Sequence, residues 1–141
     1  MKNNFLNSSF ANINSKPSSN SEVLSQILHG EKFKILSKKK NWVKIQTSYD
    51  NYVGYIKKDK FYEKFIPKLK IFKVKSKIFV KKNNKFLPSK NYLYFASGIP
   101  ILNKNKNFVE FKKNKWVKKS DTKPISHQEK NFTKIFKLFL N

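Results

Sequence analysis

Cysteine is absent from this 141-residue sequence, and so is arginine, all 32 basic residues being lysine. Without cysteine there is no disulfide framework, no thiolate nucleophile and no cysteine-based zinc site. Without arginine there is no planar, bidentate guanidinium, the group that base-edge readout and phosphate forks favour. Glycine occurs only three times. No run approaches the roughly 18 apolar residues of a membrane span, and the first ten residues lack the apolar stretch and small-residue cleavage site of a secretory leader. A cytoplasmic location is therefore expected, and neither a cofactor nor a metal is implied.

What is present is charge and aromatic surface. Eight acids against 32 lysines leave a formal net charge of +24, a value that points first to nucleic acid or an anionic membrane. The lysines are instead scattered among many Asn, Phe, Ile and Tyr residues, a mixture that AT-rich codons produce. Solvated charge rather than a dedicated polyanion surface is the simpler reading. An apolar content of 38%, with 16% aromatic, is enough for a compact core, so the chain reads as one ordinary domain or two small ones.

The organising pattern is a series of short alternating runs punctuated by Gly30, Trp42 and Gly54. Ala11-Asn12-Ile13-Asn14 alternates, a turn follows at Lys16-Pro17-Ser18-Ser19-Asn20, and Val23 to Leu28 is apolar up to His29-Gly30. Phe33, Ile35 and Leu36 form the next strand, Lys38-Lys39-Lys40-Asn41 a hairpin tip, and Trp42-Val43-Lys44-Ile45 pairs with Tyr52 to Ile56. Strands this short, with turns this close, predict a small barrel or sandwich.

A degraded second copy follows in the same order. Ile78-Phe79-Val80 opens it, Gly98-Ile99 echoes the glycine and its following strand, and Asn107-Phe108-Val109-Glu110-Phe111 echoes Asn41 to Ile45. Trp116-Val117-Lys118-Lys119 then stands where Tyr55-Ile56-Lys57-Lys58 stood. At the end, Phe132, Ile135, Phe136 and Phe139 fall at helical spacing with Lys134 and Lys137 between them, which predicts an amphipathic helix needing an apolar surface to cover it. The expected fold is all-β, with two small SH3-like barrels in tandem followed by a short C-terminal amphipathic helix. Its parts are a flexible lead-in over 1–10, a first barrel over 11–62, a linker over 63–70, a divergent second barrel over 71–121, a linker over 122–130 and the helix over 131–141.

Ala11 to Pro17, Gln26 to Glu31, Asn41 to Ile45 and Gly54-Tyr55-Ile56 together resemble the bacterial SH3 domain of the dipeptidyl-peptidase type. The whole chain resembles the non-catalytic N-terminal region of NlpC-type cysteine peptidases, which cut γ-D-glutamyl bonds to the diamino acid of murein peptides. In that family two such barrels precede a short helix of the form Asp-Phe-x-x-x-Ala-x-x-Phe-Leu, matched here by Asn131 to Leu140. The resemblance implies a module that binds and positions murein stem peptides, the first barrel walling one side of the active site and helping to recognise an N-terminal L-alanine. The chemistry is expected on a separate catalytic domain, docked on Phe132, Ile135, Phe136 and Phe139, or in a gene that continues past residue 141.

Peptide hydrolysis by that route needs a thiolate beside an oriented histidine. With no cysteine, His29 and His127 are expected as solvent-exposed turn and linker residues, and no catalytic residue is assigned. For ligand contact the candidates are Trp42, Tyr49, Asp50, Tyr52 and Tyr55, because rigid rings give contact area at low entropic cost. Asp50 and Glu31 are scarce acids suited to a peptide amine, although turn acids commonly serve their own backbone. A nucleic-acid-binding barrel is the rival reading, and it predicts affinity that falls steeply with salt. Nucleic acid and membrane are the less favoured partners.

Overall fold

A computed structural model describes residues 2–128, 135 and 137–139. Among them the architecture is nearly all-β and falls into two units, residues 1–65 and 66–141.

The first unit is a single antiparallel sheet in the order β1-β4-β5-β6-β2-β3. Its strands are β1 (Asn3–Phe5), β2 (Phe10–Asn14), β3 (Val23–Leu28), β4 (Lys32–Lys39), β5 (Trp42–Thr47) and β6 (Val53–Lys57). Strict alternation drives it. Along β5 the residues Val43, Ile45 and Thr47 are buried while Trp42, Lys44 and Gln46 stand on the other face, as the period of two requires. Pairing of Val43 with Ile56 and of Ile35 with Ile45 brings the inward side chains together. With Leu6, Ile13, Ile27 and Phe33 they make the core. An SH3-like β fold fits this strand order, but no strand pairing among the described residues closes the sheet into a barrel. Residues 1–10, expected as a flexible lead-in, carry β1 and the core residue Leu6, which is 1% exposed. Burying that leucine offsets the entropy of ordering the segment.

The second unit has a five-stranded sheet in the order β11-β12-β13-β8-β9 and a three-stranded one in the order β10-β7-β14. The strands are β7 (Leu69–Ile71), β8 (Lys75–Lys82), β9 (Lys85–Tyr94), β10 (Gly98–Ile99), β11 (Asn103–Lys104), β12 (Phe108–Lys112), β13 (Lys115–Lys118) and β14 (Thr122–Pro124). Both segments expected as linkers contain strand. β7 begins at Leu69 inside the 63–70 segment and pairs with β14, which lies inside 122–130. The core is Ile71, Ile78, Leu93, Ile99, Val109, Phe111 and Val117.

The echo read in the sequence is topological. β8, β9, β11, β12 and β13 stand in the same neighbour order as β2, β3, β4, β5 and β6. Register makes the match residue by residue. Asn14 pairs with Tyr55 as Phe79 pairs with Trp116, and Lys44 pairs with Tyr55 as Glu110 pairs with Trp116. Ile13 and Ile56 of the first core therefore correspond to Ile78 and Val117 of the second. The second unit carries an aromatic cluster on the sheet face turned away from the core. Phe86 stacks on Phe108 at 4.0 Å, Phe79 meets Phe108 edge-on at 5.1 Å, and Trp116 meets Phe86 edge-on at 5.1 Å.

Residues 135 and 137–139 are helical. Phe139 is exposed, with its ring 5.4 Å from that of Phe95, and Ile135 is half-buried. The other two residues of the expected docking face, Phe132 and Phe136, lie outside the described residues.

Candidate functional site

In the first unit, β2, β5 and the chain leaving β6 enclose a cleft of about 350 Å³. Trp42, Phe10 and Phe61 line it with Lys57, Lys58 and Asp59. Trp42 reaches it because alternation puts the first residue of β5 on the face away from the core, directly across from Lys57 of β6. Past that pair the two chains are hooked together, the Lys58 N–H donating to the Asn41 carbonyl at 2.7 Å. The hook holds Lys58 and Asp59 at the mouth. Asp59 Oδ1 accepts the Lys60 N–H at 2.7 Å, and the Asn7 side-chain amide donates to the Lys60 carbonyl, so the N-terminal segment is fastened beside the acid. Asn14, 5% exposed, lines the cleft floor and donates to the Ser21 carbonyl at 3.2 Å. The arrangement offers aromatic wall, two ammonium groups and one carboxylate.

The residues expected to hold ligand do not gather in one place. Trp42 lines the cleft. Tyr49 stands 93% exposed at the tip of the β5–β6 turn. Asp50 accepts the Thr47 hydroxyl, whose oxygen in turn accepts the Tyr52 N–H at 2.9 Å, so this acid organises its own turn. The Tyr52 hydroxyl donates to the Leu24 carbonyl at 3.2 Å, and Tyr55 is half-buried on the outer face of β6 opposite Lys44 and Asn14. Glu31 is likewise a turn residue, Oε1 accepting the Leu28 N–H at 3.1 Å. Desolvation holds the Glu31 carboxyl above its ordinary pKa of 4.5, the Leu28 bond opposing and the Asp50 charge adding to the rise. A carboxyl raised in this way favours folding most fully below pH 4.5, and that contribution is lost as pH rises through the raised value.

Phe10, Phe61 and the Lys57-Lys58-Asp59 run line the cleft beside Trp42 without being among the residues expected to hold ligand. The run was visible as the charged continuation of Gly54-Tyr55-Ile56, but nothing local says that it faces Trp42. Long-range register does that.

His29 corrects an expectation. It is 1% exposed instead of standing in an open turn. Its Nε2 lies 3.2 Å from the Tyr62 hydroxyl, and the rings of Tyr62 and Phe65 meet it edge-on at 5.6 and 5.8 Å. Tyr62 stacks on Phe65 at 4.8 Å, and burial pushes its phenol above the ordinary value of 10. This is packing at the end of the first unit. In the second unit the His127 ring meets Phe72 edge-on at 5.4 Å, and Lys70 Nζ donates to the His127 carbonyl.

Residues 13–61 match the family of the bacterial dipeptidyl-peptidase SH3 domain. The structure is similar to the crystal structure of an NlpC/P60 family protein from Bacillus cereus, with a TM-score of 0.65 at 14% sequence identity. The likeness covers 86% of this chain and 56% of that one, so the chain spans little more than half the length of its structural relative. No curated protein matches it in sequence.

Proposed function

We propose that the chain is the peptide-positioning part of an NlpC-type murein endopeptidase, and that the cleft beside Trp42 receives a short murein stem peptide. One observation carries the reading. The cleft sets a carboxylate, Asp59, and two ammonium groups, Lys57 and Lys58, around an aromatic wall. An unblocked stem peptide is complementary to it, with a free amine for Asp59, carboxylates for the lysines, and small aliphatic side chains for Trp42 and Phe61. The three charged groups are exposed and screened by salt, so the recognition is modest and rests on the rings excluding water.

Hydrolysis is assigned to a catalytic domain of NlpC type, in agreement with the structural relative and with the lack of cysteine in this chain. Titrating L-Ala-γ-D-Glu-diaminopimelate into the protein is expected to change Trp fluorescence and to shift the amide resonances of Trp42, Lys58 and Asp59. Trp42→Ala and Asp59→Asn should each weaken binding about tenfold. Binding undisturbed by both substitutions would rule out this cleft.

A further inference from the structure

The second unit is far more basic than the first. Twenty of the 32 lysines but three of the eight acids fall within residues 66–141, a balance of +17 against +7 for residues 1–65. Register then shows where some of that charge is placed. Trp42 pairs with Lys57 across β5 and β6, and Phe108 pairs with Lys118 across β12 and β13. The backbone hook is repeated as well, the Lys119 N–H donating to the Asn107 carbonyl at 2.8 Å as Lys58 does to Asn41 at 2.7 Å. Lys40-Asn41-Trp42 therefore corresponds to Lys106-Asn107-Phe108, and Lys57-Lys58-Asp59 to Lys118-Lys119-Ser120.

All six residues of the second set line one open cleft of about 610 Å³. Its chemistry differs from that of the first at a single decisive position. Ser120 stands where Asp59 stood, so the lining holds three ammonium groups, an amide and a hydroxyl, and no carboxylate. A peptide amine finds no partner there. Lysine binds phosphate as a point charge without a planar fork, and three of them around one cleft suit a ligand carrying more than one negative charge. Base stacking is not on offer in the same way, because Phe108 is already stacked on Phe86 at 4.0 Å with Phe79 against its edge. Trp116 is only 7% exposed.

We infer that the cleft between β12 and the end of β13 binds closely spaced phosphate groups through Lys106, Lys118 and Lys119, with the Ser120 hydroxyl as a further donor. The second unit alone supplies every residue of this site, which is independent of peptide binding at the first cleft.

The test is a titration of the full chain with tripolyphosphate at about 0.15 M salt, where the Debye length is about 8 Å and distant charges count little. The amide resonances of Phe108, Lys119 and Ser120 are expected to move. The triple variant Lys106→Ser, Lys118→Ser, Lys119→Ser should raise Kd at least tenfold. The variant Lys34→Ser, Lys38→Ser, Lys39→Ser removes the same charge from exposed positions of the first unit, and should change Kd less than threefold. Equal losses from the two variants would mean that bulk charge holds the anion, and would overturn the site. An octathymidylate separates the sources of phosphate. Affinity per phosphate equal to that of tripolyphosphate supports the inference, whereas tenfold tighter binding with base-to-ring contacts would replace it with single-strand recognition.

Discussion

Gly54 sits where β6 passes close over β2. A Cβ built there would lie 2.4 Å from Ile13 Cγ2 and 2.9 Å from the Asn14 carbonyl oxygen, so β6 can pair with β2 only if position 54 has no side chain. Gly54→Ala is expected to cost about 1–3 kcal/mol, the usual range for overpacking a tight contact, as measured by urea unfolding of the two proteins. An unchanged midpoint would show that β2 yields without strain. The same residue was legible in the sequence, because a glycine inside an alternating strand marks close approach. His29 was not. Its neighbour Gly30, with φ 79°, announces a turn, and turns are ordinarily open. What buries it is Tyr62, 33 positions away, and Phe65 beyond that, neither of which leaves a local signal. Asp50 shows the reverse case, since a turn acid bonded to Thr47 is what its neighbours in the chain suggest.

Elements were legible where alternation is strong and hidden where strands are short. β5 and β6 could be read directly from Trp42-Val43-Lys44-Ile45 and Tyr55-Ile56. β1, β7, β10, β11 and β14 have two or three residues each, too few to show any period. The longer β4 and β12 offer edges to β1 and β11, whereas β7, β10 and β14 pair only with one another. The β8–β9 hairpin depends on its outer face as well as on the core. Its turn places Asn83 and Asn84 at φ 50° and 62°, the doubly left-handed form that suits the twist of paired strands. Phe86, just after the turn, ties the hairpin to Phe108 and Trp116. Phe86→Ala should therefore raise amide exchange in residues 79–88 at least tenfold, while Val109 and Val117, at 0% exposure in the core, keep their protection. Uniform acceleration throughout the second unit would mean that the cluster supports the whole sheet instead. Asp121 fastens the far end, its Oδ2 accepting the buried Ser76 hydroxyl at 2.7 Å and its Oδ1 lying 3.4 Å from Lys73 Nζ.

At the scale of the molecule, +24 on 141 residues is a burden on folding as much as an attraction for partners. Like charges repel in the compact state, and added salt screens them. Only two ion pairs join described side chains, Lys2 with Glu63 and Lys73 with Asp121, so salt has little attraction to weaken. The melting temperature is expected to rise by several degrees between about 0.01 and 0.5 M sodium chloride, read by circular dichroism. A flat or falling curve would contradict the repulsion argument. Tandem organisation was visible in the sequence because the order of motifs repeats, although their identities drift. Which of the scattered lysines face a cleft was not visible, since register alone decides it. The hook from Lys58 to Asn41, and from Lys119 to Asn107, joins main chain to main chain. No side-chain replacement other than proline at the donor position deletes such a bond, so the mouth of each cleft can keep its form while the residues around it change. The scaffold thereby separates holding a shape from the chemistry at its mouth, and under the two proposed readings exchanging Asp59 and Ser120 between the two places is expected to change ligand preference without refolding.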